Sequence, residues 1–166
     1  MKTGLVLEGG AMRGMFTAGV MDVLMENGVD FDGVIGVSAG AAFGCNYKSK
    51  QIGRVIRYNT RFCADKRYGG LGSLVKTGDI YNTNFCYGTV PLELDPFDFT
   101  AYDANPQEFY VVCTDIESGQ PVYHKYLGQS DHGFLDRKSP VSSSAAAWFA
   151  AFLHQDDRQP TPAAPR

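Results

Sequence analysis

Val34-Ile35-Gly36-Val37-Ser38-Ala39-Gly40 is an apolar run that ends in a turn of small residues. Its last five residues have the form G-x-S-x-G, a strand that bends sharply into a helix and carries a serine at the bend. The bend forces the serine into a strained backbone conformation, and Gly36 and Gly40 let neighbouring segments come close. The hydroxyl is then held at the head of a helix, where backbone N–H groups and the positive end of the helix dipole favour developing negative charge. Ser38 is therefore the candidate nucleophile, with Gly36, Val37, Ala39 and Gly40 as its elbow. A Gly-rich turn of this kind can hold a serine by chance, so the neighbouring elements decide the reading.

Upstream, Thr3 to Glu8 is a short apolar run expected of a strand buried on both faces of a parallel sheet. It ends in Gly9-Gly10-Ala11-Met12-Arg13-Gly14, after which Met15, Phe16, Val20, Val23 and Leu24 recur at helical spacing with Asp22 and Glu26 on the other side. Asn27-Gly28 supplies the helix stop. Phe31 to Val37 is the second strand and Ala39 to about Lys48 the second helix, a βαβα order that implies an α/β protein with a parallel sheet.

The first turn invites three readings. A dinucleotide-binding turn needs glycine where Ala11 stands, and a P-loop needs Gly-Lys-Ser/Thr opening the helix. The third is an anion-holding turn whose free N–H groups face the tip of the neighbouring strand. Loops after adjacent parallel strands lie at one sheet edge, so Ser38 and the amides of Gly10 to Met12 are expected to face each other across a cleft. Acyl transfer needs this pairing of a nucleophile with oxyanion donors.

L-E-G-G-A-M-R-G followed closely by G-V-S-A-G resembles the patatin-like phospholipase family, above all its short bacterial members, over about Leu5 to Gly128. The resemblance implies a three-layer α/β fold with a mainly parallel central sheet flanked by helices. It implies a serine acyl hydrolase with Ser38 as nucleophile, Gly9, Gly10, Ala11, Met12, Arg13 and Gly14 as the oxyanion loop, and a lipid or acyl-ester substrate. Arg13 also reads as a fixed cation near an anionic headgroup. Ala11 departs from the family's third glycine, and the loop can still offer its N–H groups if φ there is negative.

Downstream, Ile52, Val55, Ile56, Tyr58 and Phe62 alternate with Arg54, Arg57 and Arg61, as in an amphipathic helix with a basic outer face. That face is a candidate for peripheral membrane contact, although a solvated helix face is the commoner case. Tyr68 to Phe99 reads as a long, aromatic-rich connection with short helical turns that covers one end of the sheet, and Leu92 to Pro96 as a turn. Glu108 to Thr114 is a central strand, Asp115 to Pro121 a turn, and Val122 to Tyr126 a returning strand in which His124 is an edge residue.

The family pairs its serine with an aspartate in a D-G-G or D-G-A motif far downstream. After Ser38 this chain has none, since Asp32-Gly33 precedes the elbow. The expectation is a chain truncated or out of frame after about Asp136, with the C-terminal part of the fold incomplete. That divides it into a patatin-like part (1–138), a divergent Ala-rich helical segment (139–158, with a helix over Ser142 to Leu153) and a disordered Pro-rich tail (159–166). Asp115 is the foremost substitute base, ahead of Asp131, Asp156 and Asp157, and otherwise caps its own turn. A base typically contributes about 10²–10⁴-fold.

With 166 residues, 44% hydrophobic and 20% charged, the chain is long enough for one domain with a real core. A net charge of −3 and the lack of a basic tract give no sign of a nucleic-acid partner. Cys45, Cys63, Cys86 and Cys113 are scattered without C-x-x-C, which points away from zinc and towards reduced core thiols in a cytoplasmic protein. No cofactor or metal is expected. The N-terminus lacks signal-peptide character, no run is long enough to span a bilayer, and oligomeric state stays open. Besides the acyl hydrolase, two readings stand: a non-catalytic remnant that binds lipid or a partner, and an α/β-hydrolase using His132 or His154, although no histidine precedes Ser38.

Overall fold

The computed structural model describes residues 1–77, 81–82, 84–115, 117–126 and 141–142. Strands β1 (Gly4–Leu7), β2 (Gly33–Val37) and β3 (Glu108–Asp115) lie side by side and parallel, and β4 (Pro121–Lys125) adds antiparallel to β3. Leu7 pairs with Gly36, and Gly36 with Val111, so β2 and β3 carry the centre of the sheet. β3 outruns β2 by three residues, Cys113 to Asp115, and β5 (Val141–Ser142) pairs with Thr114 and Asp115 in that overhang. Ser142, expected in a helix, is thus in a strand; the rest of the expected Ala-rich helix and the Pro-rich tail lie outside the described residues, as do the expected break after Asp136 and Asp131, His132, His154, Asp156 and Asp157.

Helix α1 (Gly14–Glu26) connects β1 to β2. α2 (Ala39–Lys48), α3 (Arg54–Phe62), α4 (Leu71–Thr77), a wide π-wound helix (Phe85–Leu94) and α5 (Phe99–Ala104) fill the connection from β2 to β3. Spatial order follows chain order from β1 to β3, and parallel crossovers are right-handed, so both connections pass over the same sheet face. That face carries the buried Leu7, Val34, Phe109, Val111 and Cys113. The other face presents Val6 and Tyr123, 73% and 60% exposed. The expectation that the first strand is buried on both faces is corrected: β1 is an edge strand, covered on one face only among the described residues.

α1 has the expected span, and Gly28, at φ 66°, follows its last turn. Its inner face agrees only in part with the reading by large residues: Met15 and Leu24 pack against the core and Gly14, Ala18 and Met21 are buried, whereas Phe16, Val20 and Val23 face outwards. Close packing chooses the small residues, since a Cβ on Gly14 would stand 2.8 Å from Phe43 Cε2 and 3.3 Å from Ala39 Cβ.

α3 forms where expected, but Arg54 does not belong to a basic outer face. It is 3% exposed, donating from Nη1 to Asn46 Oδ1 at 2.8 Å and from Nη2 to the Asp95 carbonyl. Arg57 grips the Asp95 carboxylate with two bonds of 2.8 Å, and Arg61 donates to the Leu94 carbonyl, so the arginines clamp the far end of the long connection to α3. Leu92 to Leu94 are not a turn either; they complete the π-wound helix, and the chain turns only at Asp95. Inside it, Pro91 has no N–H to give, and the wide winding joins Asp95 N to Val90 O across five residues. Among the thiols, Cys45 and Cys113 are buried as expected of core residues and Cys86 half-buried, whereas Cys63 is exposed; all four are free.

Candidate active site

β2 ends at Val37, α2 starts at Ala39, and Ser38 between them has φ 51° and ψ −118°. This is a region that residues with a Cβ rarely enter, and its occurrence at one residue needs neighbours that hold it. Gly36 and Gly40 supply them. A Cβ on Gly36 would lie 2.5 Å from Ala41 N, and one on Gly40 would lie 2.3 Å from the Leu7 carbonyl oxygen and 2.6 Å from that of Glu8. Backbone therefore presses on backbone on both sides of the serine. The Ala41 and Ala42 amides then donate to the Ser38 carbonyl at 3.0 and 3.1 Å, which starts the helix immediately.

The loop after β1 rests against this elbow at Gly9. Gly10 has φ 154° and Ala11 φ 48°, and a single 3₁₀ turn over Ala11–Arg13, closed by Arg13 N to Gly10 O at 3.0 Å, delivers the chain into α1. The condition set for Ala11, a negative φ, is not met. Ala11 takes the left-handed conformation, which costs an L-residue about 1–2 kcal/mol. The loop amides are nonetheless unspent: among the described residues those of Gly10, Ala11 and Met12 donate to no protein acceptor. Arg13 at the start of α1 is exposed, and Gly14 is the buried contact with Phe43.

Ala11, Met12 and Ser38 share one cavity of about 230 Å³ with the aromatic and apolar residues Phe43, Tyr58, Tyr87, Val90 and Pro91. The long Tyr68–Phe99 connection thus covers the serine end of the sheet, as its length and aromatic content predict. Burial drives the cavity's acidic groups away from ionisation: the Cys45 and Cys86 thiols are each pushed up to about 12, and the Tyr58 phenol well above its usual range. Arg54 at the wall is pulled down by burial yet stays a cation, engaged with Asn46 and Asp95. The chamber is thus mainly apolar, with one cation on its wall that is already bonded, which suits a hydrocarbon chain.

Ser38 is half-buried, and among the described residues its hydroxyl makes no hydrogen bond to a carboxylate or an imidazole. Asp115 lies at the same sheet edge on β3, where Oδ1 accepts from Ser118 N at 2.7 Å, Ser118 Oγ at 2.9 Å and Glu117 N at 3.0 Å. Those bonds, the Ser118 amide first, hold its carboxyl below the usual range, so it caps its own turn. His124 pairs with Val111 on strand β4, two strands from β2. Among the described residues no group of three or more His, Cys, Asp or Glu could hold a metal ion, and no helix is long and apolar enough to cross a membrane.

The clamp of Arg54, Arg57 and Asp95 escaped the sequence reading. Its one signal was the i, i+3 spacing of the arginines together with an aspartate that Pro96 keeps out of helix. The aromatic content of the long connection announced the cavity wall, but not the π-winding that presents it.

Two glycine-rich strand-to-helix turns that meet at one edge of a parallel sheet define an α/β protein with a serine elbow facing a loop of free amides. Residues 5–134 match the patatin-like phospholipase family, and the chain belongs to that family. It is also 45% identical over 62 residues to the uncharacterized protein YjjU of Escherichia coli strain K12, a match covering 34% of this chain and 17% of that protein. The chain therefore spans under a fifth of the length of that curated relative.

Proposed function

We propose that the protein hydrolyses acyl esters of lipids through Ser38. The observation that carries this reading is the forced φ 51° of Ser38 at the head of α2, with its residue on the wall of an apolar cavity shared with Ala11 and Met12. In the reaction, Ser38 Oγ attacks the ester carbonyl while a base takes its proton, and the carbonyl oxygen becomes an oxyanion held by the Gly10, Ala11 and Met12 amides. Collapse expels the alcohol, which takes up that proton and leaves an acyl-serine that water hydrolyses. Gly9 and Gly14 let the loop approach the elbow and α2, and Arg13 offers a cation to an anionic headgroup. Asp115 is the carboxylate at the C-terminal end of β3, the strand beside β2, and its own turn already uses its Oδ1.

A second reading is supported by the lack of a hydrogen-bonded base at Ser38 among the described residues: a remnant that holds an acyl chain in the same cavity without turnover. Labelling with a fluorophosphonate probe, in parallel with p-nitrophenyl ester turnover, separates the two. Labelling and turnover that vanish in Ser38→Ala support the hydrolase, and loss of both in Asp115→Asn would make Asp115 the base. A folded sample that neither labels nor turns over supports the binding remnant.

A further inference from the structure

The mouth of the cavity is flanked by large apolar side chains that the core does not use. Met12 and Tyr81 line the cavity and are still 40% and 44% exposed. One helical turn beyond Met12 stands Phe16, 80% exposed, and the same side of α1 continues through Val20 and Val23. A bridge between Gly69 and Tyr81 sets the start of α4 next to the mouth. On α4, Leu71 and Val75 are one turn apart and 82% and 85% exposed. Apolar side chains so bare, on two elements beside one opening, are more than the single exposed hydrophobes of an ordinary surface. Two exposed cations, Arg13 beside Met12 and Lys66 two residues before the cavity-lining Tyr68, have no ion-pair partner among the described residues.

We propose that this collar docks the protein on an anionic phospholipid surface. Phe16, Leu71 and Val75 enter the boundary between headgroups and acyl chains, and Arg13 and Lys66 lie against the phosphates. The collar is continuous with the apolar cavity through Met12 and Tyr81, so an acyl chain can pass from bilayer to Ser38 without crossing water. A second copy of the chain fits less well, because a two-fold interface through this patch would bring its unpaired cations towards each other. The proposal takes its purpose from the acyl-hydrolase reading of Ser38, but the binding itself does not need turnover.

The test is flotation of the full chain with vesicles of phosphatidylcholine alone and of phosphatidylcholine with phosphatidylglycerol. Phe16→Asp on α1 and Leu71→Asp/Val75→Asp on α4 are compared with the unchanged protein, with thermal melting to verify folding. The unchanged protein is expected to float with the anionic vesicles, more strongly at low salt, and each variant to lose about tenfold or more of that binding. Turnover of a short water-soluble ester is expected to be the same in all three. Absence of flotation, equal flotation by folded variants, or a dimer in light scattering that Phe16→Asp dissociates overturns the proposal. Vesicle binding that the variants abolish, in a protein without ester turnover, upholds the surface and rejects the hydrolase reading alone.

Discussion

Gly9 and Ser38 are neighbours across the sheet edge: a Cβ on Gly9 would stand 3.2 Å from Ser38 Cβ and 3.3 Å from the Val37 carbonyl oxygen. The loop of free amides and the serine are therefore set against each other by the absence of one side chain. Gly9→Ala requires a shift of a few tenths of an ångström in loop or elbow. Loss of about tenfold to a hundredfold in fluorophosphonate labelling rate is expected, with little change in melting temperature. Equal labelling rates in the two proteins would show that the spacing of loop and serine does not matter.

Gly40→Ala is expected to act on stability instead. Its Cβ would meet the Leu7 and Glu8 carbonyls at 2.3 and 2.6 Å, and backbone in a sheet cannot rotate away as a side chain can. A loss of about 3 kcal/mol is expected in urea unfolding. Gly28→Ala is the comparison, with no atom within 4 Å but φ 66°, and should cost about 1 kcal/mol from backbone strain.

The same close approaches explain what could be read in advance. The two glycine-rich turns announced β1, α1, β2 and α2, because a strand that turns straight into a helix leaves a mark in local composition. Which side of α1 faces inwards was only partly legible. Helical spacing singled out Met15, Phe16, Val20, Val23 and Leu24, of which Met15 and Leu24 pack against the core, whereas contact with Phe43 and Ala39 selected Gly14 and buried Ala18 and Met21 beyond it. Periodicity records apolar character, and a tight helix–helix contact is decided by size. Arg54 was misjudged for a related reason: its burial depends on Asn46 and on Asp95, 41 residues away in sequence. The left-handed φ of Ala11 left no trace either, since alanine enters that region only when tertiary contacts oblige it.

Asp95→Asn tests the clamp between α3 and the long connection. Asp95 is 5% exposed and receives Arg57 on both oxygens, with Arg54 Nε 3.3 Å from Oδ1. Removing its charge leaves the buried Arg54 cation without a counter-ion, and destabilisation of about 3 kcal/mol is expected by urea titration. Arg57→Ala should cost less, because the Arg57 side chain is 55% exposed and water replaces part of what it loses. An equal cost for both would place the strength of the clamp in Arg57.

Stability is expected to fall on the acid side. Thr3 donates to the Asp32 carboxylate from its amide at 2.6 Å and its hydroxyl at 3.1 Å, and these bonds, the amide first, hold the carboxyl below 3.8. A carboxyl lowered in the folded state contributes above its unfolded value and loses that contribution as pH drops through the folded one. Asp65 beside Arg67 and Glu108 beside Lys125 carry the same sign. The urea midpoint should therefore decline below about pH 4, and Asp32→Asn should flatten that decline. An unchanged slope in Asp32→Asn would show that the tie between Asp32 and Thr3 does not contribute.

The glycines of the elbow belong to two histories at once. Gly36 admits Ala41 and Gly40 admits the carbonyls of Leu7 and Glu8, so natural selection for folding alone would retain both, whatever became of catalysis. The Ser38 side chain answers to no such need, because its hydroxyl bonds to nothing in the described fold. Within G-x-S-x-G, one oxygen atom is free to record whether descent has kept the chemistry, and the rest of the motif would look the same in a living enzyme and in its relic.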